Sequence, residues 1–405
     1  MITVAEAAAR IVAALSPLPA EQVPVAAGLG RVLAADAVSR RTQPPMAVSA
    51  MDGYAVRAAD VARLPAELRV VGYAQAGGSH EGTIGPGEAA RIFTGAPVPA
   101  GADTIVIQEN TEAADGRVRV VDGKAPVGRF IHRAGLDFAA GDALLPAGRV
   151  LTARDVGLAA AMNLPWLKVR RRPRIAILAT GDEIVMPGEP VGPNQIVSSN
   201  ALALAAFVTA AGGEPVDLGI APDSADALKA MAAGARGADM LVTTGGASVG
   251  DHDLVQRVLG EVGLEVDFWK IAMRPGKPLM FGAIGGVPML GLPGNPVSTM
   301  VCATLFLWPA MRALLGADTT ETRFVRARLG RALGENDERE DYLRATLRHE
   351  PGGGLVATPF DAQDSSMSAL MARADALVVR APHAPPAAAG DEVSVLPLTG
   401  AINSI

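Results

Sequence analysis

Three short runs of this 405-residue chain place acidic, hydroxyl and glycine residues where an anion and its counter-cation could be held. They are Thr180-Gly181-Asp182-Glu183, the single Asp223, and Thr244-Gly245-Gly246-Ala247-Ser248-Val249-Gly250-Asp251-His252-Asp253. Glycines just after a strand let backbone N–H groups approach a phosphate, and a helix opening near Asp251 adds its positive end. Carboxylates beside that phosphate suit a hard cation such as Mg²⁺. The plainer reading is that Thr180, Asp182, Asp223 and Asp251 each cap a helix. Capping explains any one of them. Three such runs converging on one sheet edge favour a site.

A fourth run supplies the opposite charge. Lys270, Arg274 and Lys277 lie within eight residues around a Pro-Gly turn, in a region otherwise poor in charge. Solvated surface groups are the plain explanation, but their place between apolar strands points to an anion-binding cluster. Further on, Pro293-Gly294-Asn295-Pro296 sets Asn295 as a helix N-cap and Pro296 at the first helical position, a motif that structure alone accounts for. Two polar islands, Ser49–Tyr54 and Phe93–Pro99, sit in an earlier β-rich stretch, where turn chemistry explains each by itself.

Familiar signatures fail. Gly276-Lys277 is followed by Pro278, so there is no P-loop, and Gly28-Leu29-Gly30 lacks the third glycine of a dinucleotide fingerprint. Gly246-Ala247-Ser248-Val249-Gly250 matches a nucleophile elbow. A serine hydrolase also needs a histidine downstream. His252 is too close in sequence and His383 lies in a Pro-rich loop, which leaves His349 as a weak third.

The elements that must position these residues follow from periodicity. Thr3 to about Pro45 opens with a helical pattern (Ala7, Ile11, Ala14, Leu15), and a second helix is expected over Thr152–Met162, packed on the first. Between them, short β-prone runs such as Thr104–Ile107 and Arg117–Val121 alternate with Gly- and Pro-rich turns. From Pro173 to about Leu315, strands (Arg174–Ala179, Pro215–Ile220, Met240–Thr243) alternate with helices (Ser199–Ala211, Asp223–Ala235, Asp251–Val262), which calls for a parallel sheet. Short strands return at Phe324–Leu329, Ala376–Val379 and Glu392–Val395. The expected fold is multidomain α/β plus β. A helical linker takes 1–45 and 138–172, a small β domain 46–137, a central α/β parallel-sheet domain 173–320, and a C-terminal β-barrel-like domain 321–405.

Composition bounds the function. Apolar residues are 49% and charged ones 19%, enough for packed cores. A net charge of −6 argues against nucleic acid as partner, and a single cysteine, Cys302, excludes a disulfide within the chain and any multi-thiolate metal site. Pro278 to Met311 carries no charge, but the Gly-Leu-Pro-Gly-Asn-Pro break within it reads as strand, turn and buried helix, not a membrane span. No membrane association and a cytoplasmic location are expected.

Taken in order, S-A-M-D-G-Y, T-G-A-P-V-P-A-G-A-D, A-T-G-D-E, G-G-A-S-V-G-D-H-D, R-P-G-K-P and G-L-P-G-N-P resemble the molybdopterin molybdenumtransferase family, over nearly the whole chain. The fold unit also occurs in the scaffold protein gephyrin. The resemblance implies a molybdopterin-binding fold for the α/β domain and a homodimer of four-domain subunits. The active cleft would lie between the α/β domain of one subunit and the β domain of its partner. It implies molybdate and adenylylated molybdopterin as substrates, AMP as a product and Mg²⁺ as cofactor. A molybdopterin adenylyltransferase and apo-molybdoenzymes would be the partner proteins.

Carried over, the resemblance puts Asp52, Thr94, Asp137, Glu183, Lys270, Arg274, Lys277 and Arg344 in the catalytic set. Thr180, Gly181, Gly245, Gly246, Ser248, Pro293, Asn295, Pro296 and Ser365 would bind substrate, and Glu183, Asp223 and Asp253 would hold the metal. Arg274 stands where a lysine is common, Asp251 where a glutamate is, and Asp364 where a glycine usually precedes Ser365. Two rival readings are an adenylyltransferase, which needs only the α/β domain, and a non-catalytic scaffold.

Overall fold

The computed structural model describes residues 1–245, 264–319 and 324–398. Its contacts divide the chain into two units: Met1–Ala35, Ala147–Arg154 and Lys168–Ile405 form one, Asp36–Pro146 and Asp155–Leu167 the other.

Helix α1 (Val4–Ala13) starts at Thr3, whose hydroxyl accepts the Glu6 N–H at 3.1 Å. It buries the stripe Val4, Ala7 and Ile11 in the same core as Phe306, Ala310 and Met311. Just before it, Ile2 bridges Ile271 in parallel, and Ala272 N–H donates to the Ile2 carbonyl at 2.9 Å.

In the second unit, β1 (Gly53–Val56), β2 (Ala66–Ala74), β3 (Glu88–Ile92), β4 (Thr104–Ile107), β5 (Thr111–Ala114) and β6 (Arg117–Val120) form one curled sheet, in the order β4-β1-β3-β2-β6-β5. All neighbours are antiparallel except β2 and β3. Alternation is plain in β6, where Val118 and Val120 are buried and Arg117 and Arg119 exposed. Strand β1 is buried at every position. A Cβ on Gly53 would stand 1.9 Å from the Val106 carbonyl oxygen, so only glycine fits that close approach.

Helix α2 (Ala153–Ala161) falls where the sequence puts one, but it does not share a core with α1. From Asp155 onward it belongs to the second unit. The larger apolar surface of the α/β domain takes α1's stripe instead.

The α/β domain follows, built from β7 (Arg174–Thr180), α3 (Asn200–Ala210), β8 (Glu214–Ala221), α4 (Ala225–Ala232), β9 (Met240–Thr244), β10 (Leu264–Trp269), β11 (Met273–Arg274), β12 (Met280–Ile284), β13 (Val287–Leu292), α5 (Pro296–Cys302) and α6 (Trp308–Leu314). The sheet order is β8-β7-β9-β13-β12-β10. Four strands are parallel, as alternation with helices requires, but β12 runs against both of its neighbours. The sheet is therefore mixed, because Gly285 and Gly286, both at positive φ, close β12 and β13 into a hairpin.

Helices α5 and α6 join through a π turn, Ala303–Leu307, ahead of Pro309, which has no N–H for the ladder. The whole span Pro296–Leu314 is long and apolar enough to cross a membrane, yet 78% of its most apolar window is buried inside the fold. It is a core helix.

The last domain is a closed five-stranded barrel of β14 (Val325–Leu329), β15 (Glu340–His349), β16 (Leu355–Pro359), β17 (Ala376–Arg380) and β18 (Glu392–Pro397), with helix α7 (Ser368–Ala372) before β17. The order β15-β16-β14-β18-β17 closes where β17 pairs back with β15. Strand β11 pairs in parallel with β15 and ties barrel to α/β domain.

Candidate active site

The register lines up the sheet's working edge. Thr180 pairs with Ala221, Ala179 with Thr244, and Thr244 with Leu292; on the far side Gly291 pairs with Met280 and Met280 with Trp269. Residues one or two steps beyond that line are Gly181, Asp223, Gly245, Pro293 and Lys270. Because β12 runs the other way, the segment leading into it, including Lys277, arrives at the same edge. The Gly181, Asp223 and Gly245 segments and the 270–277 loop therefore lie along one edge of the sheet, the edge where ligands of open α/β sheets sit.

At the β7 end, Gly181 sits at φ +139 and donates its N–H to the Ala221 carbonyl at 3.2 Å. The Glu183 carboxylate folds over it: a Cβ on Gly181 would lie 2.4 Å from Glu183 Oε2. Asp182 Oδ1 accepts the Asp223 N–H at 3.0 Å. Burial raises the Asp223 carboxyl above its ordinary value, and the charges of Asp182 and Glu183 add to that. Asp223 is not a helix cap. Helix α4 is capped one residue later by Ser224, whose hydroxyl accepts the Ala227 N–H at 3.3 Å.

Thr180 is buried and its hydroxyl has no hydrogen-bond partner. Gly245, at φ +93, passes so close that a Cβ there would stand 2.3 Å from the Thr180 carbonyl oxygen. Gly246, Ser248 and Asp253, with the elbow motif and the expected helix over 251–262, lie outside the described residues. Among those described, no group of three or more His, Cys, Asp or Glu side chains stands ready to hold a metal ion.

On the cationic side, the 270–279 loop is pinned by Lys270 N–H to the Leu279 carbonyl and Ile271 N–H to the Lys277 carbonyl, both 3.0 Å. Lys270 adopts φ +71, unusual for a non-glycine residue, and its Nζ lies 3.9 Å from the Trp269 ring centroid. Gly276 lets the turn approach the buried Cys302, whose Sγ would be 2.5 Å from a Cβ at that position.

Arg274 departs from expectation. Its guanidinium donates to Asp337 (2.9 Å), Asn336 Oδ1 (3.3 Å) and the buried Asp341. Its charge is committed to the barrel, which leaves Lys270 and Lys277 of the three cations expected to bind an anion.

Asn295 caps α5 by position, but its side chain makes no bond to the helix. Its Nδ2 donates to Ser365 Oγ at 2.9 Å, and Val297 N–H donates to the Ser365 carbonyl at 3.2 Å. The Pro293 carbonyl accepts from Thr299 Oγ1 at 2.6 Å, and Pro296 opens the helix. Ser365 thus reaches the sheet edge from the barrel.

Arg344 supports the Ser365 loop from beneath, only 1% exposed. Gln363 Oε1 accepts from Arg344 N–H (3.0 Å) and Nε (3.3 Å), while Arg344 Nη1 donates to the Met367 carbonyl at 3.3 Å. Its Nη2 is buried with no partner. Burial pulls the guanidinium below its usual value, opposed by Asp364. Asp364 is itself occupied, accepting from Ser366 N–H (2.8 Å) and Oγ (2.5 Å).

In the second unit Asp52 and Thr94 come together. Asp52 Oδ1 accepts both the N–H and the hydroxyl of Thr94, each at 2.7 Å. Those bonds, with the nearby Arg91 guanidinium, hold the Asp52 carboxyl below the usual range. Arg91 lies over the Tyr54 and Phe93 rings, 5.2 and 4.9 Å from their centroids, and donates to the Gly53 carbonyl at 2.9 Å. Asp137 is exposed, with its N–H on the Gln43 carbonyl at 3.0 Å.

Three family models match this chain. They are the MoeA N-terminal region (domain I and II) over residues 2–163, the probable molybdopterin binding domain over 176–313, and the MoeA C-terminal region (domain IV) over 326–398. A molybdopterin molybdenumtransferase of Nostoc sp. is 40% identical over 82% of this chain and 80% of its own length. One from Haemophilus influenzae is 31% identical over 98% of both. A molybdopterin biosynthesis MoeA protein of Pyrococcus horikoshii superposes with a TM-score of 0.84 at 32% identity, covering 99% of this chain and 100% of that one. The chain belongs to the molybdopterin molybdenumtransferase family.

Within this molybdenumtransferase family member, motif reading missed two residues, Asn200 and Gln363, and left a third, Asp182, out of the carried-over set. Asn200 Nδ2 donates to Thr244 Oγ1 (3.0 Å) and the Gly294 carbonyl (2.7 Å), tying two strand ends together. Asp182 organises Asp223, and Gln363 anchors the Ser365 loop. The serine-asparagine pair opening α3 was the visible signal for the first. Nothing in the spacing marks Gln363.

Proposed function

We propose that this protein inserts molybdate into adenylylated molybdopterin and releases AMP. The observation that carries the reading is the shared sheet edge, along which the Gly181 and Gly245 turns, the Asp182–Glu183–Asp223 carboxylates, and Lys270 with Lys277 are set. Lysines there suit the anionic ends of the substrate and molybdate, a tetrahedral oxyanion with a phosphate-like demand for donors. The family's flanking domains on both sides of the α/β domain disfavour an adenylyltransferase, which needs the α/β domain alone.

Mg²⁺ fits the acidic end in kind. Burial first, and then the charges of Asp182 and Glu183, raise the Asp223 carboxyl, and a divalent cation would relieve the second of these. Glu183 and Asp223, with Asp253, would hold it, and the bound ion would polarise the phosphoanhydride. Asp52 and Thr94 are proposed to complete the site from the partner of a homodimer, with the protein cytoplasmic.

The test is AMP release from purified protein given adenylylated molybdopterin, molybdate and Mg²⁺. Release that depends on molybdate and stops on chelation supports the proposal; no release by the wild type overturns it. The dimeric site is tested separately by co-expressing Asp52→Ala with Lys277→Ala chains. Mixed dimers regain activity if each site draws on two chains, and regain none if each site lies within one.

A further inference from the structure

A cavity of about 470 Å³ opens beside the sheet edge, between α3, the long helix of α5 and α6, and the barrel's α7. Asn200 and Phe207 line it from α3, Met300 and Trp308 from the long helix, and Met371 and Leu398 from the barrel side. Phe207 and Trp308 meet edge to face, with centroids 6.4 Å apart and planes at 80°, giving the cavity two rigid aromatic walls. The volume lies in the range of small-molecule sites, and so does the character: apolar walls with few polar groups. Among the described residues no charged side chain lines it.

Two residues belong to both the cavity and the edge. Pro296 opens the helix that Asn295 caps. Asn200 commits both amide hydrogens, to Thr244 Oγ1 and the Gly294 carbonyl. Its Oδ1 is left as the acceptor of that side chain. An anionic group held at the edge therefore has an uncharged, aromatic-walled cavity next to it, with a hydrogen-bond acceptor at the boundary.

We infer that this cavity receives a flat, amino-substituted heteroaromatic ring of the substrate, its exocyclic amino group directed at Asn200 Oδ1. The inference rests on the proposed function. Adenylylated molybdopterin carries two such rings, adenine and the pterin, each tethered to the phosphates that the edge would hold. Apolar walls take the ring faces, and the lack of charge in the cavity keeps the phosphates outside.

The experiment uses the full chain and two probes, AMP and 6-hydroxymethylpterin, titrated separately by calorimetry. Met300→Trp fills the cavity from the long helix, and Ala372→Phe fills it from the barrel should the first variant fail to fold. The expected result is a weakening of one probe by about tenfold or more with the other unchanged, and a rise in KM for AMP release with kcat nearly constant. Loss of AMP binding assigns the cavity to adenine; loss of the pterin assigns it to the pterin. Unchanged affinities and KM in both variants overturn the inference, as does failure of the wild type to bind either probe. Both outcomes leave wild-type AMP release untouched, so they are distinguishable from failure of the proposed function.

Discussion

Asp52 is held twice by one residue, through the backbone and the hydroxyl of Thr94, and its carboxyl sits below the ordinary range for that reason. Removing the hydroxyl alone, in Thr94→Val, leaves the N–H bond and lets the carboxyl drift back upward. The acid limb of the AMP-release profile should therefore move to higher pH. Asp52→Ala removes the carboxylate altogether and should lower AMP release by at least about tenfold. An unchanged profile in Thr94→Val would remove Asp52 from the reaction. Spacing alone shows these residues as separate polar islands, 42 positions apart, and only the resemblance sets both in the catalytic group. Arg274 was misjudged for a related reason. Its partners Asp337 and Asp341 lie 63 and 67 positions away, in another domain, and no local spacing announces them. A cation read within its own motif looks free until the fold brings its counter-charges in.

At the scale of elements the sequence was more informative, because strand runs and glycine turns are local. Strands β7, β8 and β9 lie within a residue or two of their expected limits. The reversal of β12 was not foreseen, since a buried antiparallel strand and a buried parallel one are both short apolar runs. Close backbone approaches were equally invisible: Gly53 looks like any turn glycine, yet it lies in a fully buried strand against the Val106 carbonyl. Gly53→Ala should force β1 and β4 apart and cost about 2–4 kcal/mol of stability, measured by chemical unfolding. A loss below about 0.5 kcal/mol would show that the pair yields easily.

Across the first unit, barrel and α/β domain are joined by a charged clamp: Arg274 with Asp337 and Asp341, and Arg339 with Asp337 at 2.7 Å. The Asp337 carboxyl is held at about 2 against a usual 3.8, chiefly by its bonds from Arg339, with Arg274 adding to the effect. A folded value below the unfolded one gives stabilisation that is complete above about pH 4 and fades as pH falls towards 2. Asp341 opposes this, because burial raises its carboxyl, and it remains in place in a variant at position 337. Asp337→Asn should therefore lose less of its melting temperature than the wild type between pH 5 and pH 2. An equal or greater loss would exclude Asp337 as a source of the acid sensitivity.

The bridge between Ile2 and Ile271 has a practical consequence for anyone handling this protein. The chain's opening residues are stitched in beside Lys270, so an affinity tag fused ahead of Met1 would emerge a few ångströms from the cationic loop. A polyhistidine tag placed there brings imidazoles and any leached nickel close to the lysines proposed to receive an oxyanion. Turnover measured on such a fusion would report on the tag as much as on the protein, and cleaving the tag becomes part of the assay.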